Sequence, residues 1–92
     1  RAHANGWRVA HFRAAQVRPG VYVTPMDADG KGFPDLVLVR ERVVFAEIKG
    51  DGDRLRPEQQ VWLDSLQQAG LETHVWTSKD WPDQVEEVLA KR

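Results

Sequence analysis

Asp35, Glu47 and Lys49 are the residues whose types and spacing allow chemistry on a phosphate. They belong to the run Gly32-Phe33-Pro34-Asp35, Leu36-Val37-Leu38-Val39, Arg40-Glu41-Arg42, Val43-Val44-Phe45-Ala46, Glu47-Ile48-Lys49-Gly50. Two short apolar runs joined by a charged link predict a β-hairpin. Pro34 stops any helix and stands just ahead of the first strand, where a missing N–H is tolerated. Asp35 therefore lies at the mouth of that strand. Glu47 and Lys49 are two apart on the second strand and share a face, while Ile48 points the other way with Val44 and Ala46. Two carboxylates and one ammonium thus gather at one end of the hairpin.

An unpaired charge in an apolar run is expensive to bury. A divalent cation between Asp35 and Glu47 resolves the conflict. Mg²⁺ suits it, as a hard ion held by one or two carboxylates, waters and phosphate oxygens. Lys49 beside it would orient or help deprotonate an attacking water and offset charge on a phosphate. The plainer alternative is a salt bridge from Lys49 to Asp35 or to Glu47 on a half-exposed strand, and Glu-x-Lys by itself is a common tripeptide. The hairpin context with Pro-Asp upstream favours the catalytic reading.

Pro34-Asp35 followed by Glu47-Ile48-Lys49 resembles the PD-(D/E)xK nuclease pattern. With Gly32-Phe33 ahead and Gln59-Gln60-Val61-Trp62 behind, the chain is similar to the VRR-NUC family within it, of the stand-alone phage or bacterial type. The similarity runs from Gly6-Trp7 to Trp81. The resemblance implies an α/β fold, a small mixed β-sheet flanked by helices with a restriction-endonuclease-like core. It implies Mg²⁺- or Mn²⁺-dependent hydrolysis of phosphodiester bonds in DNA. Asp35 and Glu47 would ligate the metal with the Ile48 backbone carbonyl, Lys49 would serve the attacking water, and Gln59 would support them. It further implies branched substrates such as four-way junctions, a role in DNA repair, and a homodimer presenting two sites to two strands. The family usually carries an acidic or amide residue on a first helix, and no residue here stands in that place. Two other readings compete: a nucleic-acid-binding module that kept the fold and lost turnover, and a structural protein with incidental charges. Intact Asp35, Glu47 and Lys49 count against the first.

The elements that must position these residues are legible in part. Arg1-Ala2-His3-Ala4-Asn5-Gly6 reads as the tail of a helix ending at Gly6, the rest of which is expected upstream. Residues 7–12 alternate as a strand. His11 there either touches a phosphate or is a structural or surface histidine. Arg18-Pro19-Gly20 is a turn signal, and residues 21–24 form a short edge strand. Residues 27–32 lack the later glutamate of a calcium loop and form a loop feeding Pro34-Asp35. Lys31 in it is within reach of a phosphate, and Gly32 lets backbone come close to the site.

Arg54 and Arg56 sit on the approach to the next helix, where they can clamp a DNA backbone. Pro57 suits the first helical position and Gly70 the residue past the end, giving a helix over residues 57–69. Its inward stripe is Gln59, Trp62, Leu63 and Leu66. A buried glutamine needs partners, and Gln59 has two uses open to it: holding Lys49, a metal-bound water or a phosphate, or capping the helix start. Residues 73–77 form a third core strand, in which His74 has no assigned role. Residues 80–92 form a last amphipathic helix with Trp81, Val85, Val88 and Leu89 inward, acids early and bases late. The four tryptophans are expected in the core.

Ninety-two residues allow one domain, spanning residues 1–92. With so small a core, help from a second subunit is expected, and segment exchange through the loop at residues 20–32 is one route to it. There is no cysteine, hence no disulfide framework and no thiolate nucleophile. No apolar run approaches the ~20 residues that cross a membrane, and an intracellular setting, in a prokaryotic or phage-infected cell, is expected. The net charge of −1 does not advertise nucleic-acid binding, but residues 1–20 hold four arginines and no acid. Such asymmetry can turn a basic face toward phosphates.

Overall fold

The computed structural model describes residues 6–12, 15–19, 21–23, 30–50 and 52–91. In chain order the strands and helices are β1 (Arg8–His11), β2 (Ala15–Arg18), β3 (Val21–Val23), β4 (Leu36–Val39), β5 (Val43–Ile48), α1 (Pro57–Gln68), β6 (Glu72–Trp76) and α2 (Asp83–Ala90). A mixed four-stranded sheet has the order β1-β4-β5-β6. Its first three strands pair antiparallel, and β6 joins β5 in parallel after the α1 crossover. β2 and β3 form a separate two-stranded ribbon. The small mixed sheet with helices is the expected fold class. No helix among the described residues is long and apolar enough to cross a membrane.

The hairpin register pairs Val39 with Val43 and Leu36 with Ala46, so the link is the charged triplet Arg40-Glu41-Arg42. Alternation then divides the side chains between two faces. Leu38, Val44 and Ala46 join Trp7, Trp76, Val85 and Leu89 in the core under α2. Val37, Phe45 and Glu47 point to the other face, which α1 covers with Leu63 and Leu66 buried.

The charged link also does structural work. Arg42 donates to the carbonyls of Val88 and Lys91, both at 2.6 Å, and Arg40 also donates to Lys91. The last carbonyls of a helix lack intrahelical partners and favour cations, so the hairpin turn caps α2. Both guanidiniums lie over the Trp7 ring, at 4.9 and 5.1 Å, and the Trp7 indole N–H donates to Leu89 O at 2.7 Å. Arg42 reaches Glu72 as well, at 2.8 Å. Burial pushes the Glu72 carboxyl up, but hydrogen bonds from His74 and Arg42 outweigh it and hold the pKa below its ordinary value. His74, given no role from sequence, pairs with Glu72 and stacks on Trp76.

Several expectations are corrected. The last helix starts at Asp83, because Asp80 instead caps a short 3-10 turn, accepting from the Thr77 N–H at 2.8 Å. Trp81 therefore stands outside α2 and is 52% exposed. Only Trp7 and Trp76 of the four tryptophans are in the buried core. The third core strand begins one residue early, at Glu72, and lies at the sheet edge. β2 was not anticipated, since Ala-Gln-Val-Arg carries little alternation. Residues 1–5 of the expected helix tail and the loop at residues 24–29 lie outside the described residues. Gly6 does take the left-handed conformation, with φ 83°.

Candidate metal and catalytic site

Asp35 precedes β4, and the register that pairs Leu36 with Ala46 sets it opposite Glu47. One of its carboxylate oxygens, Oδ2, accepts the Ile48 N–H at 3.0 Å. The segment carrying it is anchored from both sides. The Phe33 ring makes edge contacts with Phe12, Phe45 and Trp62, at centroid distances of 5.6, 6.1 and 5.0 Å. Pro34 is fully buried, and the Asp35 carbonyl accepts from Phe12 N–H at 2.8 Å.

Glu47 is only 2% exposed. Its Oε1 accepts from Gln59 Nε2 at 2.9 Å, and Gln59 Oε1 accepts the Arg56 N–H at 2.8 Å. Gln59 thus caps the start of α1, the second use open to it from sequence, and its amide holds Glu47 rather than Lys49, a metal-bound water or a phosphate. The other carboxylate oxygen, Glu47 Oε2, is buried without a hydrogen-bond partner. Burial first, then the neighbouring Asp35 carboxylate, push the Glu47 pKa from 4.5 to about 7. The charges of Lys49 and Arg56 pull it back in part.

A buried carboxylate oxygen with no donor, beside a second carboxylate, is an uncompensated arrangement. A hard divalent cation fits it, because the donor set is oxygen only. Among the described residues no cluster of three or more His, Cys, Asp or Glu could enclose an ion. Two carboxylates with the remaining positions left to water and substrate oxygens is the Mg²⁺ or Mn²⁺ pattern, not a closed protein cage.

The structure brings Asp35, Glu47 and Gln59 together, and Ile48 joins them through its N–H. Lys49 stands at the same strand end, close enough for its charge to act on Glu47, with its N–H bonded to Trp76 O at 2.9 Å. Arg56 is exposed at the start of α1 and also acts on Glu47. Lys31 and Arg56 flank Glu58 at 4.0 and 3.7 Å, and Arg54 is exposed in the preceding loop. His11 is not brought to the carboxylates. It pairs with Leu36 and so shares the opposite face of the sheet with Leu36 and Val9. On that face lies an apolar groove of about 580 Å³, lined by Val9, Leu36, Ile48, Trp76, Trp81 and Val85 among others. Ile48 is 44% exposed at its edge. Sequence reasoning missed the Phe33 hub. The capping half of the Gln59 role had a signal, a glutamine at the third helical position behind Pro57.

A mixed sheet carrying an aspartate ahead of one strand and Glu-x-Lys at the end of the next is the core of the PD-(D/E)xK nuclease fold. The model of the VRR-NUC domain matches residues 24–80, more than half of the chain, and the chain belongs to the VRR-NUC family. Over 47 residues it is 43% identical to the Fanconi-associated nuclease 1 homolog of Caenorhabditis elegans. It is 40% identical to the Fanconi-associated nuclease 1 of Danio rerio over the same length. Each match covers 48% of this chain and 5% of the relative, so the chain spans a small part of the curated relatives it matches.

Proposed function

We propose that this domain is a divalent-metal-dependent endonuclease acting on DNA, with a preference for branched structures such as four-way junctions. The observation that carries the reading is the buried, partnerless Oε2 of Glu47 beside Asp35, at the strand end that also bears Lys49. Asp35 and Glu47 would hold one Mg²⁺ or Mn²⁺, with the Ile48 carbonyl as a further ligand. Such an ion, when bound, polarises a phosphate oxygen and lowers the pKa of a coordinated water.

The chain's own residues do the remaining work. Gln59 occupies Glu47 Oε1 and leaves Oε2 for the ion. The Ile48 N–H fixes the Asp35 carboxylate. The Lys49 ammonium orients the attacking water and stabilises charge developing on the phosphate. Lys31, Arg54 and Arg56 would contact backbone phosphates, which position the substrate without reading its sequence. His11, on the other face, would do so only where the DNA wraps the sheet edge. Symmetric incision of a junction requires two such sites, and a homodimer with exchanged segments would supply them.

A panel of end-labelled linear, flap, splayed and four-way substrates tests the reading. Cleavage is expected in Mg²⁺ and Mn²⁺, fastest on branched DNA. In Ca²⁺ binding persists but turnover drops by about 100-fold or more, because the looser shell positions water poorly. Equal turnover in Ca²⁺ or in chelator would overturn the mechanism. Equal cutting of linear duplex would remove the branch preference, and binding without cutting in every metal would leave the non-catalytic module. Sedimentation at micromolar concentration tests the dimer, and a clean monomer would make a single nick the expected product.

A further inference from the structure

We infer that Gly32 is a positioning residue: it seats the Asp35 loop on the first turn of α1, the same turn that fixes Glu47 through Gln59. The sequence suggests that Gly32 lets backbone come close to the site. The close approach is to the first turn of α1, beside Gln59. A Cβ at Gly32 would lie 2.6 Å from the carbonyl carbon of Glu58 and 2.7 Å from its carbonyl oxygen. Both distances are inside any tolerable contact, and the obstacle is backbone, which cannot swing aside. The Gly32 φ of +87° adds a conformation that side chains disfavour.

From this contact two short paths lead to the two carboxylates. Along the loop, Phe33 is held by its three ring neighbours and Pro34 is buried, so little slack separates Gly32 from Asp35. Along the helix, Glu58 is followed by Gln59, whose amide holds Glu47. The hairpin sets the register of Asp35 against Glu47, and the Gly32–Glu58 contact sets their spacing. Any side chain at position 32 must lift the loop off the helix by a distance on the order of 1 Å, enough to cost about 100-fold in a reaction that depends on geometry.

Two other glycines make the internal control. Gly52 and Gly70 have φ of +81° and +85°, yet a Cβ at either meets nothing within 4 Å. Gly70→Ala therefore carries the backbone strain of Gly32→Ala without the collision. The readout is amide hydrogen exchange at Ile48, whose N–H is bonded to Asp35 Oδ2. That bond reports the position of Asp35 with no metal or substrate present. The Val44 amide, in the fully buried part of β5, corrects for overall stability.

Relative to Val44, the Ile48 amide is expected to exchange at least about tenfold faster in Gly32→Ala and at the wild-type rate in Gly70→Ala. Mg²⁺-dependent cleavage should fall by about 100-fold in the first variant alone. An Ile48 amide equally protected in wild type and Gly32→Ala would overturn the inference. Only the effect on cleavage rests on the nuclease reading: if wild type does not cut while the Ile48 result holds, that reading fails and the positioning role stands. If Gly32→Ala does not fold, Phe33→Leu loosens the same loop without adding an atom at position 32. It should expose Ile48 in the same sense, and an unchanged Ile48 amide in folded Phe33→Leu would overturn the inference.

Discussion

Asp35→Ala, Glu47→Ala and Lys49→Ala are each expected to reduce Mg²⁺-dependent cleavage by about 1000-fold or more, with the fold retained. Losing either carboxylate would remove one of the two charged ligands proposed for the ion, and with it the activation of water. Losing Lys49 would remove the ammonium at the strand end proposed to stabilise a developing negative charge there. The fold survives for a specific reason. In the absence of metal the Asp35 charge opposes ionisation of Glu47, so deleting one carboxylate relieves repulsion as well as removing contacts. Gel-based cleavage with circular dichroism on the same samples reads both parts. A folded variant of any of the three that cuts at the wild-type rate would take that residue out of the site.

The second large effect is on stability against pH. Glu47 is raised from 4.5 to about 7 in the folded protein, so the native state holds its proton more tightly than the unfolded chain does. A raised carboxyl stabilises the fold fully below its unfolded value, and that contribution is lost as pH rises through about 7. The loss is on the order of 3 kcal/mol. For a domain of this size that corresponds to a fall in Tm of roughly 10 °C between pH 5 and pH 8 in chelator. Glu47→Gln keeps an acceptor for Gln59 and cannot ionise, so it should melt higher than wild type at pH 8 and show a much flatter profile. Mg²⁺ should restore the wild-type protein at pH 8. Its affinity should weaken about tenfold per unit of pH below 7, where the ion competes with a proton for Glu47. Parallel pH profiles for wild type and Glu47→Gln would show that Glu47 is not the group under strain.

Much of this site was legible before any coordinate. Two β-rich runs around Arg40-Glu41-Arg42 admit one hairpin register that buries Leu38, Val44 and Ala46 together, and that register puts Asp35 opposite Glu47. Pro57 and Gly70 bounded α1 for local reasons, and the 3.6-residue period placed Gln59 inward. What stayed hidden depends on partners distant in the chain. Nothing local to Arg40 or Arg42 says that the end of α2 comes to rest over them. Nothing local to Trp81 says that Asp80 spends its carboxylate on Thr77 and delays the helix to Asp83. The orientation of His11 turns on a shift of one residue in the β1–β4 register, a choice that a short strand with weak alternation does not announce. The Gly32 contact belongs to the same class. A glycine before Phe-Pro-Asp signals close approach, but which backbone it approaches is decided by the α1 crossover.

The proposed nuclease site requires Asp35 and Glu47 to hold a divalent cation between them. Crystals soaked in Mn²⁺ at pH 8, with data collected at the manganese absorption edge, test it most directly. One anomalous peak is expected within about 2.0–2.3 Å of Glu47 Oε2 and of an Asp35 carboxylate oxygen, absent from Glu47→Gln crystals treated in the same way. Strong manganese signal elsewhere on the protein with none between these two carboxylates would contradict it.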